Sequence, residues 1–325
     1  MNDPRVCIIG AGGLSTRRIY PNIGAAGGQI VGVCDLVREK AERNARRFGG
    51  RPYTDYETML ADEKPDAVIV CIGPEQHAAL AMAIMKKGFP VYTEKPPAVT
   101  AADALAVARV SKETGLLCTT AFKKRYALAY HRARQWLAGF PEADRYSLSI
   151  DYASAQYAHD SPRRSFLLDF AIHIIDLTPY LFGDVSKVFA FAKGLDAYAV
   201  SIQFACGAVG SLNLTDGRTF GLPTEEVEIT VKGGNFMSIH NSSCWKIVEK
   251  EKAVEWREPP TFTSAGDSGN DTGHLAEIAD FLDAVKNKRS TRSNIYESYK
   301  TMALYEAIRD SASRGAVVEV VYERP

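Results

Sequence analysis

The sequence predicts an α/β chain in which a doubly wound parallel sheet comes first and antiparallel strands follow. Three observations carry that prediction. Over residues 1–121, short and wholly apolar runs alternate with helical patterns, as strands buried on both faces alternate with crossover helices. The first of these runs, Val6–Ile9, leads straight into a glycine-rich turn, Gly10-Ala11-Gly12-Gly13. Beyond residue 122 the period changes to strict apolar/polar alternation, which describes strands with one buried face.

Taken in order, Val6–Ile9, Ile30–Cys34, Ala67–Cys71, Val91–Thr93 and Leu116–Thr120 read as strands, and Glu39–Phe48, Gln76–Lys87 and Ala101–Glu113 as helices. Val68-Ile69-Val70 is apolar throughout, as a strand covered on both faces requires. Further on, Tyr198, Val200, Ile202 and Phe204 alternate with Ala199, Ser201 and Gln203. Val227, Ile229 and Val231 alternate with Glu228, Thr230 and Lys232, and Gly233-Gly234 then supplies a hairpin turn. Leu275, Ile278, Ala279, Leu282 and Val285 recur at helical spacing, a second helix covers Glu297–Ala312, and Val317–Val321 closes the chain as a strand. No internal repeat or low-complexity segment interrupts this plan. The change of period sets two domains, residues 1–121 and 122–325.

A chain of 325 residues with 46% hydrophobic and 24% charged residues has the composition of a globular protein of two ordinary domains. Its 39 lysines and arginines balance 39 aspartates and glutamates, so no global field favours nucleic acid or an anionic membrane as partner. The 6 cysteines show no CxxC spacing, and Cys7, Cys34 and Cys71 fall within apolar strand candidates. That pattern suits a reducing compartment. Residues 1–5 lead into a strand without a signal-peptide core, and no apolar run has the length of a membrane span. The expectation is a cytoplasmic protein.

Gly10-Ala11-Gly12-Gly13-Leu14-Ser15 matches the dinucleotide fingerprint GxGxxG, with serine in the third glycine position. The first glycine permits the tight turn and the second lets backbone amides approach a pyrophosphate; the third eases helix packing, where a serine is small enough. Asp35 ends the next strand candidate at the expected interval of about 20 residues. Its carboxylate suits ribose hydroxyls and repels a 2′-phosphate, which favours NAD over NADP, while Arg38 softens that preference and keeps NADP admissible. A turn or capping aspartate is the plainer reading of Asp35.

Lys95 closes the apolar stretch Pro90-Val91-Tyr92-Thr93 within Glu94-Lys95-Pro96. At the C-terminal end of a strand in such a sheet, it points into the crevice where ligands bind; a solvated lysine in a turn is the alternative. In Leu167–Leu177, Asp169, His173 and Asp176 fall within a stripe roughly 60° wide if the segment is one helix. An imidazole beside a carboxylate can act as a tuned general base. Two other readings stand beside this one, a capping Asp169 with a core His173, and a metal site, although no HExxH or cysteine cluster supports a metal.

With these residues in hand, the chain resembles the glucose–fructose oxidoreductase and inositol dehydrogenase family (Gfo/Idh/MocA) over essentially its whole length. The resemblance rests on Gly10-Ala11-Gly12-Gly13, Ile72-Gly73-Pro74-Glu75-Gln76-His77, Glu94-Lys95-Pro96, Ala121-Phe122-Lys123-Lys124-Arg125-Tyr126 and the Asp169…His173…Asp176 segment. Glu277-Ile278-Ala279-Asp280-Phe281 and Gly315–Val320 add to it. It implies a Rossmann domain followed by an α/β domain with a large open, mainly antiparallel sheet, which in this family often forms the interface of a homodimer or homotetramer. Carried over, it makes Gly10, Gly12, Gly13, Leu14 and Asp35 cofactor residues. It adds Ile72, Pro74 and His77 near the nicotinamide ribose, with Glu94 and Lys95 beside them. Lys95 is implied to orient the reacting hydroxyl, His173 to be the general base and Asp169 to support it. Lys123 and Lys124 align with substrate contacts, and no metal is implied.

The activity implied is an NAD(P)-dependent dehydrogenase acting on a secondary alcohol of a sugar, cyclitol or related polyol. A redox-neutral enzyme that uses bound NAD for transient oxidation is the runner-up, followed by a non-catalytic sensor on the same scaffold. Arg163-Arg164 either contact an anionic substrate group or form a solvated basic turn.

Overall fold

The structure is a computed structural model that describes residues 3–154, 165–219, 221–259 and 271–325. The chain forms two compact units: unit 1 comprises Met1–Phe122, His274–Lys300 and Glu323–Pro325, and unit 2 comprises Lys123–Gly273 and Thr301–Tyr322.

Unit 1 begins β1 (Arg5–Ile9), α1 (Gly13–Arg18), α2 (Tyr20–Ala25), β2 (Gln29–Cys34), α3 (Arg38–Phe48) and β3 (Arg51–Tyr53). It continues with α4 (Tyr56–Glu63), β4 (Ala67–Val70), α5 (Pro74–Lys86), β5 (Val91–Thr93), α6 (Ala101–Thr114) and β6 (Cys118–Thr120). The six strands pair in parallel in the order β3-β2-β1-β4-β5-β6, which reverses direction between β1 and β4. Loops at such a reversal open a crevice at the C-terminal ends of the strands. Local chemistry marks the helix ends. Asp55 caps α4 by accepting from Thr58 N, Thr100 caps α6 by accepting from Asp103 N, Pro74 opens α5, and Gly115 ends α6 in the left-handed conformation.

Unit 2 begins with a 3₁₀ turn, Lys123–Tyr126, followed by α7 (Leu128–Leu137), β7 (Arg145–Ala153), α8 (Phe166–Asp169) and α9 (Ile172–Phe182). The strands β8 (Val185–Lys193), β9 (Ala197–Phe204), β10 (Val209–Thr215) and β11 (Thr224–Val231) follow. After them come β12 (Asn235–His240), β13 (Cys244–Glu249) and β14 (Lys252–Arg257). The chain then returns to unit 1 as α10 (His274–Asn287). It re-enters unit 2 along α11 (Ile295–Arg314) and adds β15 (Val318–Glu319). The nine strands run β14-β13-β12-β11-β7-β10-β9-β8-β15. The sheet is mixed, because β7 pairs with β10 in parallel while its pairing with β11 is antiparallel. In β9 and β11 the alternating residues are buried on one face, and Gly233 and Gly234 turn the β11–β12 hairpin at φ +85° and +73°.

Three features differ from the sequence reading. Residues 274–300 belong with unit 1, where Ile278, Phe281 and Leu282 share a core with Val6, Ile8, Ile69 and Tyr92. A single boundary near residue 122 does not capture this return, because periodicity reports that a helix has an apolar face and not what covers it. The edge strand β3 carries no apolar run to announce it, since Arg51 and Pro52 are exposed. Cys71 lies just beyond β4 instead of inside it.

Candidate functional site

The glycine turn of unit 1 is built for close backbone approach. Gly10 has φ +106°, and a Cβ there would lie 2.0 Å from the carbonyl oxygen of Cys71. No side chain fits between the ends of β1 and β4. A Cβ on Gly12 would meet nothing within 4 Å, so the space above that residue is open. The carbonyl of Gly10 accepts from Ser15 Oγ at 3.1 Å and from Tyr20 OH at 3.2 Å. Ser15, in the third position of the fingerprint, is therefore a buried brace of the turn, which is more than the tolerance that its size alone suggested. Arg43 Nη2 donates to Ala11 O at 2.8 Å.

Asp35 joins this scaffold from the end of β2. Its Oδ2 accepts from Ala11 N at 2.8 Å and its Oδ1 from Val37 N at 2.9 Å. Each carboxylate oxygen has two lone pairs, so acceptor capacity remains for ribose hydroxyls. Leu14 is exposed beside the turn. A cavity of about 270 Å³ adjoins it, lined by Gly12, Gly13, Thr16, Arg17, Lys40 and Arg43. An open glycine turn, an anchored aspartate and a cationic border fit a dinucleotide with a negatively charged pyrophosphate.

Glu94-Lys95-Pro96 follows β5. Glu94 N donates to Val70 O at 2.9 Å and Lys95 N to Glu94 Oε2 at 3.2 Å, which ties the turn to the end of β4. Ile72 and Pro74 lie partly buried in the β4–α5 connection. His77 is held close to that turn. Its imidazole is 0% exposed, and Nδ1 lies 2.7 Å from Pro96 O. Burial holds its pKa below the usual histidine value and keeps the ring neutral. The Nδ1–H tautomer then donates to Pro96, which ties His77 to the turn that carries Lys95.

In unit 2, the segment holding Asp169 and His173 is two helices. Phe166 O receives the N–H groups of both Phe170 and Ala171, each at 3.0 Å, and this shared acceptor interrupts the ladder between α8 and α9. Asp169 ends α8 and His173 lies in the first turn of α9, both partly exposed. Asp176 does not belong to the polar stripe that the one-helix reading proposed. It is 0% exposed and accepts from Arg125 Nε at 2.9 Å and Nη2 at 2.8 Å, and from Thr301 Oγ1 at 2.8 Å. It is the carboxylate of a buried ion pair.

Lys124 is also enclosed, whereas Lys123 remains partly exposed. The Lys124 ammonium pairs with Glu225 and lies 3.3 Å from Ser242 Oγ. Glu225 accepts further from Tyr130 OH, and from Ser242 Oγ at 2.5 Å. Burial alone would raise the Glu225 pKa, but Lys124 and the two hydroxyls hold it below the usual value. Tyr152, whose ring centroid lies 5.9 Å from Lys124 Nζ, has its pKa pushed up to about 12 by burial and by the nearby Glu225 and Asp169. The sequence reading missed Glu225, Tyr130, Tyr152 and Ser242. Glu225 stands in step with the buried Val227, Ile229 and Val231 of its strand, and a carboxylate in that apolar register is the trace it leaves in the sequence. Arg163 and Arg164 lie outside the described residues. No helix among the described residues is long and apolar enough to cross a membrane.

Comparison with known proteins places this geometry. Residues 4–122 match the model of an oxidoreductase family with an NAD-binding Rossmann fold, and residues 150–320 match that family's C-terminal alpha/beta domain. The chain is 25% identical over 338 residues to D-apiose dehydrogenase of Paraburkholderia graminis, covering 96% of this chain and 88% of that protein. It is 31% identical over 174 residues to Glycosyl hydrolase family 109 protein 1 of Akkermansia muciniphila, covering 49% of this chain and 34% of that one. Levoglucosan dehydrogenase, solved with NADH and L-sorbose, shares the fold with a TM-score of 0.85 at 21% identity, over 99% of this chain and 100% of the other.

Proposed function

The chain belongs to the Gfo/Idh/MocA oxidoreductase family, and on that premise we propose that it oxidises a secondary alcohol of a sugar, cyclitol or related polyol with NAD. The observation that carries the reading is the preformed dinucleotide cradle, in which Asp35 binds the Ala11 amide and Gly10 leaves no room for a Cβ beside Cys71. NAD, when bound, supplies the hydride acceptor, and Gly10, Gly12, Gly13 and Asp35 hold it.

The residues of this chain do the rest. His173 takes the proton of the reacting hydroxyl, as a neutral imidazole does near neutral pH. Asp169, at the end of α8, orients that imidazole and stabilises its protonated form. The Lys95 ammonium stabilises the negative charge that develops on the substrate oxygen. His77 holds the turn bearing Lys95 through Pro96, and so acts on the reaction through position. The similarity to D-apiose dehydrogenase supports a sugar-like substrate.

The similarity to a glycosyl hydrolase family 109 protein favours one second reading, a redox-neutral reaction through transient oxidation. NADH formation, followed by absorbance across neutral sugars, cyclitols and uronates, separates the two. Net NADH accumulation supports the dehydrogenase; tightly retained NAD without accumulation supports the redox-neutral enzyme. In the active protein, Lys95→Ala and His173→Ala are each expected to lower turnover by about 10²–10⁴-fold, the range contributed by a positioned proton-transfer or electrostatic group. NAD binding, read by fluorescence quenching, is expected to survive both changes. Near-normal turnover in either variant removes that residue from the mechanism.

A further inference from the structure

The buried cluster around Glu225 is assigned no step in the proposed reaction, yet unit 2 is shaped to keep it. Glu225, the second residue of β11, is 5% exposed and draws three donors: Lys124 Nζ, Tyr130 OH and Ser242 Oγ. The turn after β12 folds around it. Asn241 Oδ1 accepts from Glu225 N at 3.1 Å, Asn241 N donates to Glu225 O at 2.8 Å, and Asn241 and Ser242 adopt φ +49° and +61°. Left-handed backbone at two consecutive non-glycine residues is costly and persists where the surroundings require it.

The cluster adjoins α8. Lys124 Nζ lies 5.9 Å from the centre of the Tyr152 ring, and that ring stacks on Phe166 with centroids 6.1 Å apart. Phe166 opens α8 and Asp169 closes it. The Tyr152 hydroxyl feels both Glu225 and Asp169, so the Lys124–Glu225 pair lies electrostatically close to the residue assigned to support the base. A bare ammonium there would attract carboxylates and phosphates; an ammonium already paired with a buried carboxylate presents no net charge.

We propose that Glu225 is a specificity-determining residue, cancelling the charge of Lys124 so that the surface beside Asp169 accepts uncharged hydroxyls and discriminates against carboxylates. The proposal rests on the reading that Asp169 and His173 meet the substrate. It assigns Lys124 a paired role in place of a direct contact with an anionic group.

The test compares the affinity of NAD-loaded protein for D-glucuronate and D-glucose by isothermal titration calorimetry. Glu225→Gln keeps the shape of the side chain and one of its two acceptor oxygens but leaves the charge of Lys124 unpaired. It is expected to raise the glucuronate-to-glucose affinity ratio by at least about tenfold, well within what an unpaired charge supplies in a protein site. Glucuronate is also expected to raise the melting temperature of this variant more than that of the parent protein. Lys124→Met moves the ratio the other way, and Lys124→Met combined with Glu225→Gln returns it towards the parent value, so a poorly folded single variant does not decide the matter. An unchanged ratio in Glu225→Gln, or an equal rise in the double variant, overturns the proposal. A parent protein that reduces NAD with no sugar fells the dehydrogenase reading, while the binding ratio still decides the role of Glu225.

Discussion

Gly10 and Gly12 look equivalent in the sequence and do different things in the protein. Gly10 needs its positive φ, and any Cβ there collides with Cys71 O. Gly12 has ordinary φ and open space, which is what a bound pyrophosphate requires. Gly10→Ala is therefore expected to lose stability by more than about 2 kcal/mol, as strained positive-φ positions do, and to lose NAD binding with it. Gly12→Ala is expected to keep the parent melting temperature while weakening NAD at least tenfold. Thermal denaturation and NAD titration on the two variants separate these effects, and equal stability losses would refute the distinction. At this scale the sequence shows residue type and spacing, which locate Gly10 in the glycine turn, Asp35 at the end of β2 and Lys95 just after β5. It does not show what a side chain meets, so the buried partners of His77, Lys124 and Asp176 are not legible in it. The partners Pro96, Glu225 and Arg125 lie 19, 101 and 51 residues away, beyond the reach of any periodicity.

Elements are legible where one pattern fills them. β4 is wholly apolar, β9 and β11 alternate, and α10 repeats at helical spacing, so each was predicted within a few residues. The break between α8 and α9 leaves no such mark, because Phe170 and Ala171 suit a continuous helix and the interruption lies in a shared carbonyl acceptor. What then anchors α9 is the pair between Asp176 on its buried face and Arg125 in the 3₁₀ turn, at 0% and 2% exposure. Breaking one side of such a pair leaves an uncompensated charge in the interior. Arg125→Met is expected to cost about 3–5 kcal/mol, whereas adding Asp176→Leu recovers a large share of it. Urea unfolding of both variants checks this, and a double variant no more stable than Arg125→Met would mean that the loss reflects packing instead of charge.

At the scale of the whole molecule, the balanced charge removes one kind of partner and the nine-stranded sheet suggests another. One face of that sheet is covered within unit 2, with β7 against α9 and Ala190 N of β8 donating to Ser311 Oγ of α11 at 2.9 Å. The opposite face carries Ser238, Glu228, Ser149, Ser211 and Ser201 side by side on β12, β11, β7, β10 and β9, a row of small side chains broken by one carboxylate. Towards its two edges stand Phe191 at 67% and Trp256 at 62% exposure, with Val209 and Val254 also exposed. Large apolar groups exposed around a field of mostly small side chains are the composition of a surface that pairs with another of its kind. We propose that two copies meet through this face, as a dimer or as half of a tetramer. Sedimentation velocity at micromolar concentration is expected to show no monomer for the parent protein. Ser201→Arg, which raises a long charged side chain from β9 on this face, and Phe191→Glu, which removes an apolar edge, are each expected to shift it towards monomer without lowering the melting temperature of the isolated chain. A monomeric parent protein would leave that face without a partner and would transfer its exposed aromatics to some other role.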